Sequence, residues 1–432
     1  MRIPSNRRFF PAIPPLAGAR QTGARPIPAA LYWLVALGVG SSFYVAIEPA
    51  PTDVVFAVLF VAAMVARDLR FPLDLNPLLS VGLIGFFASN AVSLLASQHP
   101  VEGFLYWAVT TYLLVTWYLL VVLLTNYGEP MWQLMRRAFL VAATIAALIG
   151  LISHFSTVLQ DYLYVQSAYG QRARGSFKDP NVYAPFLCAA LILVVNSMIT
   201  RRLLSATWIA LLCLFSVEIL GAFSRGGYVN LFVSLAALFG LHLLLTRRDW
   251  LTRWFILSFV TLLVVIPTLL VFLRVSGLEN FLWRRLQLQG YDDARFYSQS
   301  MALEGIARSP FGVGPGQANE MIGLGTHNVY LMVAFENGWI AVLCFLLFIL
   351  TTLWIALRGT FRRGPFQDIY ACCLAILAGI MANSLAIDSL HWRHFFFFLA
   401  IPVGLWQYQW SAARAARVPV GLAPRPRYPE RS

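Results

Sequence analysis

The residues in this chain best equipped for chemistry are a few cations and one imidazole. Arg174 and Lys178 lie in Arg174-Gly-Ser-Phe-Lys-Asp-Pro-Asn-Val-Tyr183, and Arg225 lies in Ser224-Arg-Gly-Gly227. Arg295 lies in Asp292-Asp-Ala-Arg-Phe-Tyr297, and His327 in Gly325-Thr-His-Asn-Val-Tyr330. A guanidinium presents a planar fork of donors to phosphate oxygens. A neutral imidazole can take the proton of a hydroxyl. Brought to one place, these groups would hold an anion and abstract a proton beside it. Whether they meet depends on the elements that carry them.

Composition identifies those elements. The chain has 432 residues, 59% of them hydrophobic and 12% charged, with mean hydropathy +0.69. Soluble domains carry about 25% charged residues, so this is a polytopic membrane protein. A bilayer core needs about 20 apolar residues per helix. Twelve segments meet or approach that length, near 29–47, 52–66, 77–97, 103–125, 136–155, 181–200, 204–222, 226–246, 254–273, 327–357, 366–387 and 392–410. The second is short and the tenth long, which predicts tilting or a break. The expected fold is an all-α integral membrane protein of about 12 transmembrane helices, with one long outer loop, 274–326, before helix 10. Residues 1–28 are rich in Arg and Pro without the apolar stretch of a signal peptide, and read as a disordered tail. Residues 411–432 read as a second tail, leaving 29–410 as the membrane domain. All five cysteines fall inside predicted helices, which argues against disulfides and cysteine-based metal sites. No internal repeat is visible.

The net charge of +13 would suggest nucleic acid in a soluble protein, but the positive-inside rule explains most of it. With both termini in the cytoplasm, 22 of the 32 Lys and Arg fall on the cytoplasmic side. The exceptions are Arg172, Arg174, Lys178, Arg225, Arg274, Arg284, Arg285, Arg295, Arg308 and Arg393. Long loops escape the rule, which accounts for Arg284, Arg285 and Arg308. Arg225 needs another reason, because the turn between helices seven and eight is only a few residues long. A charge that close to hydrocarbon is costly and usually functional, although snorkelling to lipid phosphate is the plain alternative.

Each motif also has a purely structural reading. Asp179-Pro180 is a strong helix start, an N-cap acceptor followed by proline at the first turn. Arg174 and Lys178 then add charge where helix N–H groups already favour anions. The glycines of Ser224-Arg-Gly-Gly227 permit a sharp turn or close approach to a ligand. Residues 292–309 have helix-forming character with Asp292 or Asp293 as N-cap, so Arg295 is expected in the first turn; its bland role is a surface pair with an aspartate. Phe311-Gly-Val-Gly-Pro-Gly-Gln317 lacks the Lys-Ser/Thr of a P-loop and reads as a tight turn. Thr326 is the expected cap of the tenth helix, leaving His327 in its first turn. There the helix end and nearby arginines would lower its pKa towards that of a general base. Together the motifs put cations, helix starts and one possible base on the outer face. A lipid-linked diphosphate sugar fits: arginines would neutralise the leaving diphosphate, and His327 would deprotonate an acceptor hydroxyl.

At these residues the sequence resembles the O-antigen ligase superfamily, which includes Wzy-type O-antigen and exopolysaccharide polymerases. The resemblance is clearest over 174–345 and rests on GSFKDPN, SRGG, DDARFY, FGVGPGQ and THNVYL in that order. It implies a metal-independent glycosyltransferase of the bacterial inner membrane, working at the periplasmic face in lipopolysaccharide or exopolysaccharide biosynthesis, without a cofactor. The implied donor is an undecaprenyl-diphosphate-linked glycan, and the acceptor is lipid A-core or another glycan. Arg225 corresponds to the family's diphosphate-binding arginine between helices seven and eight, Arg295 to its large-loop arginine and His327 to its loop-ending histidine; Arg174 matches more loosely, and Lys178 is a candidate by its charge beside it. Ligase leads narrowly over polymerase, whose two lipid diphosphates would suit surplus outer arginines. A transporter or flippase for the same lipids is the alternative of another class, with Glu218 and Glu336 as its intramembrane candidates. Either glutamate could instead bridge helices. Asp292-Asp293 would make a poor divalent-ion site, lacking a third ligand nearby. The turn Asp388-Ser-Leu-His-Trp-Arg-His394 either closes over the glycan or anchors the last helix.

Overall fold

A computed structural model describes residues 26–65, 69–154, 164–167, 170–201, 205–245, 271, 274–275, 287, 290–323 and 325–415. Its helices, in chain order, are α1 (Ala29–Gly40), α2 (Pro51–Val65), α3 (Pro77–Ser93), α4 (Pro100–Tyr127), α5 (Glu129–His154), α6 (Pro180–Arg201), α7 (Ala206–Gly221) and α8 (Arg225–Leu245). There follow α9 (Gly290–Arg308), the short α10 (Ala318–Ile322), α11 (Val329–Phe361), α12 (Gln367–Asn383) and α13 (Arg393–Ala415). Among the described residues, six helices are long and apolar enough to cross a bilayer, namely α3 to α6, α8 and α11, and α1, α2, α7 and α12 are shorter apolar helices. The chain is an α-helical membrane protein. The expected ninth segment, 254–273, falls outside the described residues apart from residue 271. Most of tail 1–28 and residues 416–432 also fall outside them, as do Arg284 and Arg285. The last helix runs to Ala415, five residues past its expected end at 410.

One element departs from the all-α expectation. Strands β1 (Tyr164–Ser167) and β2 (Gly170–Ala173) form an antiparallel hairpin between α5 and α6, with Tyr164 opposite Ala173.

Small residues set how closely the helices approach, as expected where apolar lipid supplies no driving force between them. A Cβ on Gly82 of α3 would stand 2.6 Å from the backbone nitrogen of Phe348, so α3 and α11 cross almost backbone to backbone. Further helix pairs in contact are α8 with α12, α4 with α13, and α6 with both α7 and α8. Glu218 is buried where three helices meet, 3.2 Å from His154 Nε2 of α5 and accepting a 2.9 Å hydrogen bond from Tyr183 of α6.

The long tenth segment is broken. Gly338, inside α11, has φ 85° and ψ 178°, a conformation only glycine adopts without strain. The glycine-rich run after α9 fills this break. Val313 N–H donates to Phe335 O (3.1 Å), Gly314 N–H to Glu336 O (2.9 Å), and Trp339 N–H to Pro310 O (3.0 Å). Gly312, Gly314 and Gly316 all have positive φ, so the run is the tight turn its composition predicts. Glu336 completes the joint by accepting from Gly316 N–H at 2.9 Å and Ala318 N–H at 3.1 Å. The carboxylate thus satisfies backbone donors at the start of α10.

Candidate functional site

Ser224 begins the site by capping α8. Its hydroxyl accepts from Gly227 N–H at 3.2 Å, which places Arg225 in the first helical position. The two glycines that follow serve helix packing. A Cβ on Gly226 would collide with Asn383 Oδ1 of α12, and one on Gly227 would lie 2.7 Å from Ala184 Cβ of α6. The SRGG string therefore packs three helices at one point and leaves the Arg225 side chain at their mouth.

Arg225 reaches across to α9. Its Nη1 and Nη2 donate to Asp292 Oδ2 and Oδ1 at 2.9 and 2.5 Å, and Nη1 lies 3.5 Å from the Gln287 carbonyl. Helix α9 starts at Gly290, two residues before the expected cap, so Asp292 sits within the first turn and Arg295 in the second. That correction matters because Asp292 is thereby turned towards Arg225 instead of capping its own helix.

Arg225, Asp292 and Arg295 line one cavity of about 270 Å³. Asn181, Ser224, Gln299, Asn383 and the segment Leu385–Ile387 are also part of its wall. Two sequence-distant arginines thus share one wall with a helix N-terminus, an arrangement suited to a multiply charged anion.

His327 stands just before α11 rather than in its first turn. Asn328 is the cap: its Oδ1 accepts from Tyr330 N–H at 3.0 Å and Leu331 N–H at 3.1 Å. Thr326, the expected cap, instead donates to Asn328 O at 3.2 Å. The consequence is an unusual backbone at His327, φ 47°, which is rare for a residue with a side chain and common at functional sites. Half-burial holds the imidazole pKa below its ordinary value, the charge of Arg295 lowers it further, and Asp179 opposes both. His327, Arg295 and the start of α6 are therefore electrostatic neighbours. Two hydrogen bonds fix the backbone on either side of His327: Ser298 Oγ of α9 donates to Gly325 O (3.2 Å), and Val329 N–H donates to Ser384 O (3.1 Å) just past α12.

Asp179 caps α6 as its sequence predicts, accepting from Asn181 N–H at 2.7 Å. The preceding cations are placed elsewhere. Arg174 donates to Lys178 O at 3.3 Å, and Lys178 pairs with Glu48 at 3.0 Å on the exposed surface. Neither lines the cavity of Arg225 and Arg295. Arg172 is a residue whose role the sequence did not disclose. It is buried, donating to Ala222 O at 3.0 Å and Asn181 Oδ1 at 2.9 Å, and so braces the α7–α8 turn that presents Arg225.

The turn 388–394 anchors the last helix, one of the two roles its sequence allowed. Arg393 binds both oxygens of Asp53 on α2 at 2.7 and 2.5 Å, and His391 Nε2 lies 2.9 Å from Thr110 Oγ1 on α4, so the turn anchors α13. The residues just before it, Leu385–Ile387, form the cavity wall. Asp388 lies 3.4 Å from Tyr106 Oη, and burial raises its carboxyl to about 6.

With this geometry in place, comparison with known proteins adds one match. Residues 209–346 fit the family model described as O-antigen ligase, Wzy_C. The matched stretch holds Arg225, Arg295 and His327 and excludes Arg174 and Lys178. A search of curated proteins returns no match to the chain.

Proposed function

We propose that this chain, whose residues 209–346 match the O-antigen ligase family model, is a glycosyltransferase acting on a lipid-linked glycan. The proposed activity is transfer of an undecaprenyl-diphosphate-linked glycan to an acceptor hydroxyl at the periplasmic face of the inner membrane, in the manner of an O-antigen ligase with a lipid A-core acceptor. In this reading the chain spans the membrane about twelve times with both ends in the cytoplasm.

The observation that carries the proposal is the shared cavity of Arg225 and Arg295; His327 is outside the residues that line it but feels the charge of Arg295. In the proposed reaction His327 takes the proton of the acceptor hydroxyl. The acceptor oxygen bonds to the anomeric carbon as the bond from that carbon to the diphosphate oxygen breaks. Undecaprenyl diphosphate leaves with the bonding pair, and the two arginines meet its charge, with no divalent ion assigned a role. Arg174 and Lys178 are proposed to act at longer range, on the charge of the approaching donor.

Two observations favour this reading over its rivals. Glu218 and Glu336, the candidates for a carrier, are engaged by helix bridging and by backbone N–H groups. Among the described outer arginines, Arg172 and Arg393 are largely buried against partners within the fold, which leaves fewer for the second lipid diphosphate of a polymerase. The test is radiolabelled lipid-linked glycan in proteoliposomes with lipid A-core as acceptor. Label transferred without a gradient supports the ligase, label joined to a second lipid-linked unit supports the polymerase, and translocation without transfer supports the carrier.

A further inference from the structure

One residue in the wall of the cavity that holds the arginines carries a polar group that the fold leaves unsatisfied. Asn383, the last residue of α12, is 2% exposed and lines the cavity. Its Nδ2 has no hydrogen-bond partner among the described residues. A buried amide in that condition is destabilising and calls for an explanation. Packing does not remove it; Gly226 is the residue whose missing side chain makes room for this carboxamide.

Asn181, on the same wall, offers a matching group. Its Oδ1 already accepts from Ser224 Oγ and Arg172 Nη2, each at 2.9 Å, so its amide nitrogen is the end available to a ligand. Gln299 lines the cavity as a third carboxamide, and Leu385–Ile387 add an apolar strip. Phosphate oxygens only accept hydrogen bonds and are served by guanidinium groups. Sugar hydroxyls both donate and accept, as carboxamides do, and the C–H face of a sugar ring packs on apolar side chains. The volume of about 270 Å³ lies below the range of roughly 300–1,000 Å³ that holds a drug-sized ligand. It has room for a head group and one ring, not for a chain of sugars.

We propose that Asn383, together with Asn181, binds the sugar joined directly to the diphosphate, which makes this wall the specificity-determining surface for the donor. The proposal rests on the reading of the cavity as a lipid-diphosphate site.

The experiment measures binding of two probes to the purified chain: undecaprenyl diphosphate, and the lipid-linked glycan extracted from the native host. Asn383→Ala should weaken the glycan-linked lipid about three- to tenfold, the loss of one or two hydrogen bonds, and leave undecaprenyl diphosphate unchanged. That unchanged binding also shows the variant is folded. Should the Ala variant fail to fold, Asn383→Ser decides, with the same expected direction. Equal weakening of both probes, no weakening of either, or loss of folding in both variants overturns the sugar contact. If the wild-type chain binds neither probe, the donor reading falls and the sugar contact with it.

Discussion

Arg225 and Asp292, 67 positions apart, are joined by two hydrogen bonds of 2.9 and 2.5 Å, one to each carboxylate oxygen. The pair fastens the start of α9 to the start of α8. It also presents Arg225 already desolvated on one side and aimed at the cavity, with a carboxylate occupying the geometry a phosphate would take. A diphosphate entering the site must displace Asp292 or share the guanidinium with it, using the edge that Asp292 leaves.

Arg225→Lys should therefore be badly impaired, not merely Arg225→Ala. An ammonium cannot span two carboxylate oxygens and bind phosphate in a plane. Transfer measured in membranes, with expression matched by blot, checks this. Wild-type turnover in the Lys variant would reduce Arg225 to a point charge or a lipid anchor.

Asp292→Ala should lower stability where Glu304→Ala does not. Asp292 and Arg225 side chains are 8% and 26% exposed, against 62% and 80% for Glu304 and Arg308. Charged hydrogen bonds shielded from water contribute about 1.5–3 kcal/mol, and exposed pairs about 0–1 kcal/mol. Thermal unfolding of both variants in detergent should show a clear drop for the first alone. Equal melting temperatures would mean α9 is held by other contacts.

How much of this site was legible in the sequence follows from distance along the chain. The Asp179 cap and the tight glycine turn are local, fixed by neighbours within a few residues, and both were readable from residue type. The Arg225–Asp292 bond was not, because nothing in either segment encodes the other. Nor was the role of the turn in bridging the α11 break at Gly338, where the turn lies some 25 residues upstream. A conflict between two local signals misplaced the cap of α11: Thr326 and Asn328 both qualify by type. Asn328 caps, and His327 takes up the resulting strain. The hairpin at 164–173 escaped because its eight strand residues carry no clear alternation.

Gly338→Ala should cost both folding yield and activity. A Cβ there would stand 2.5 Å from Pro310 O, on a backbone of φ 85°. Backbone strain of this kind costs about 1–3 kcal/mol, and relieving it would expel the turn that leads from α9 towards His327. Gly240→Ala in α8 is the control, since no described residue lies within 4 Å of its Cβ. Fluorescence-detected size exclusion and transfer assays on both variants should separate them. Indistinguishable behaviour would show that α11 can straighten.

Transfer should survive EDTA. Asp292 is engaged by Arg225, and two guanidinium groups line the cavity where a metal would otherwise be needed for charge. Loss of activity on chelation, restored by added Mg²⁺ or Mn²⁺, would overturn the metal-independent reading.

His327 gives the sharpest test of mechanism. General-base assistance contributes roughly 10²–10⁴-fold, so His327→Ala should slow turnover by about that factor while donor binding, held by Arg225 and Arg295, changes little. His327→Gln keeps a hydrogen-bonding group but cannot store the proton, and should be nearly as slow. Burial and Arg295 place the folded imidazole pKa below the ordinary 6.5. The unfolded chain therefore binds this proton first as pH falls. The contribution of neutral His327 to stability is present above 6.5 and is lost as pH drops through the lower folded value. Activity should fall across the same acid window, below 6.5, as the base becomes protonated. The measurements are turnover and donor binding for both variants, with a pH–rate profile for the parent chain and a parallel unfolding curve to separate loss of base from loss of fold. If the Gln variant turns over within a few-fold of wild type, His327 serves to orient the acceptor. Asp388, whose carboxyl burial raises to about 6, would then be the next base to test.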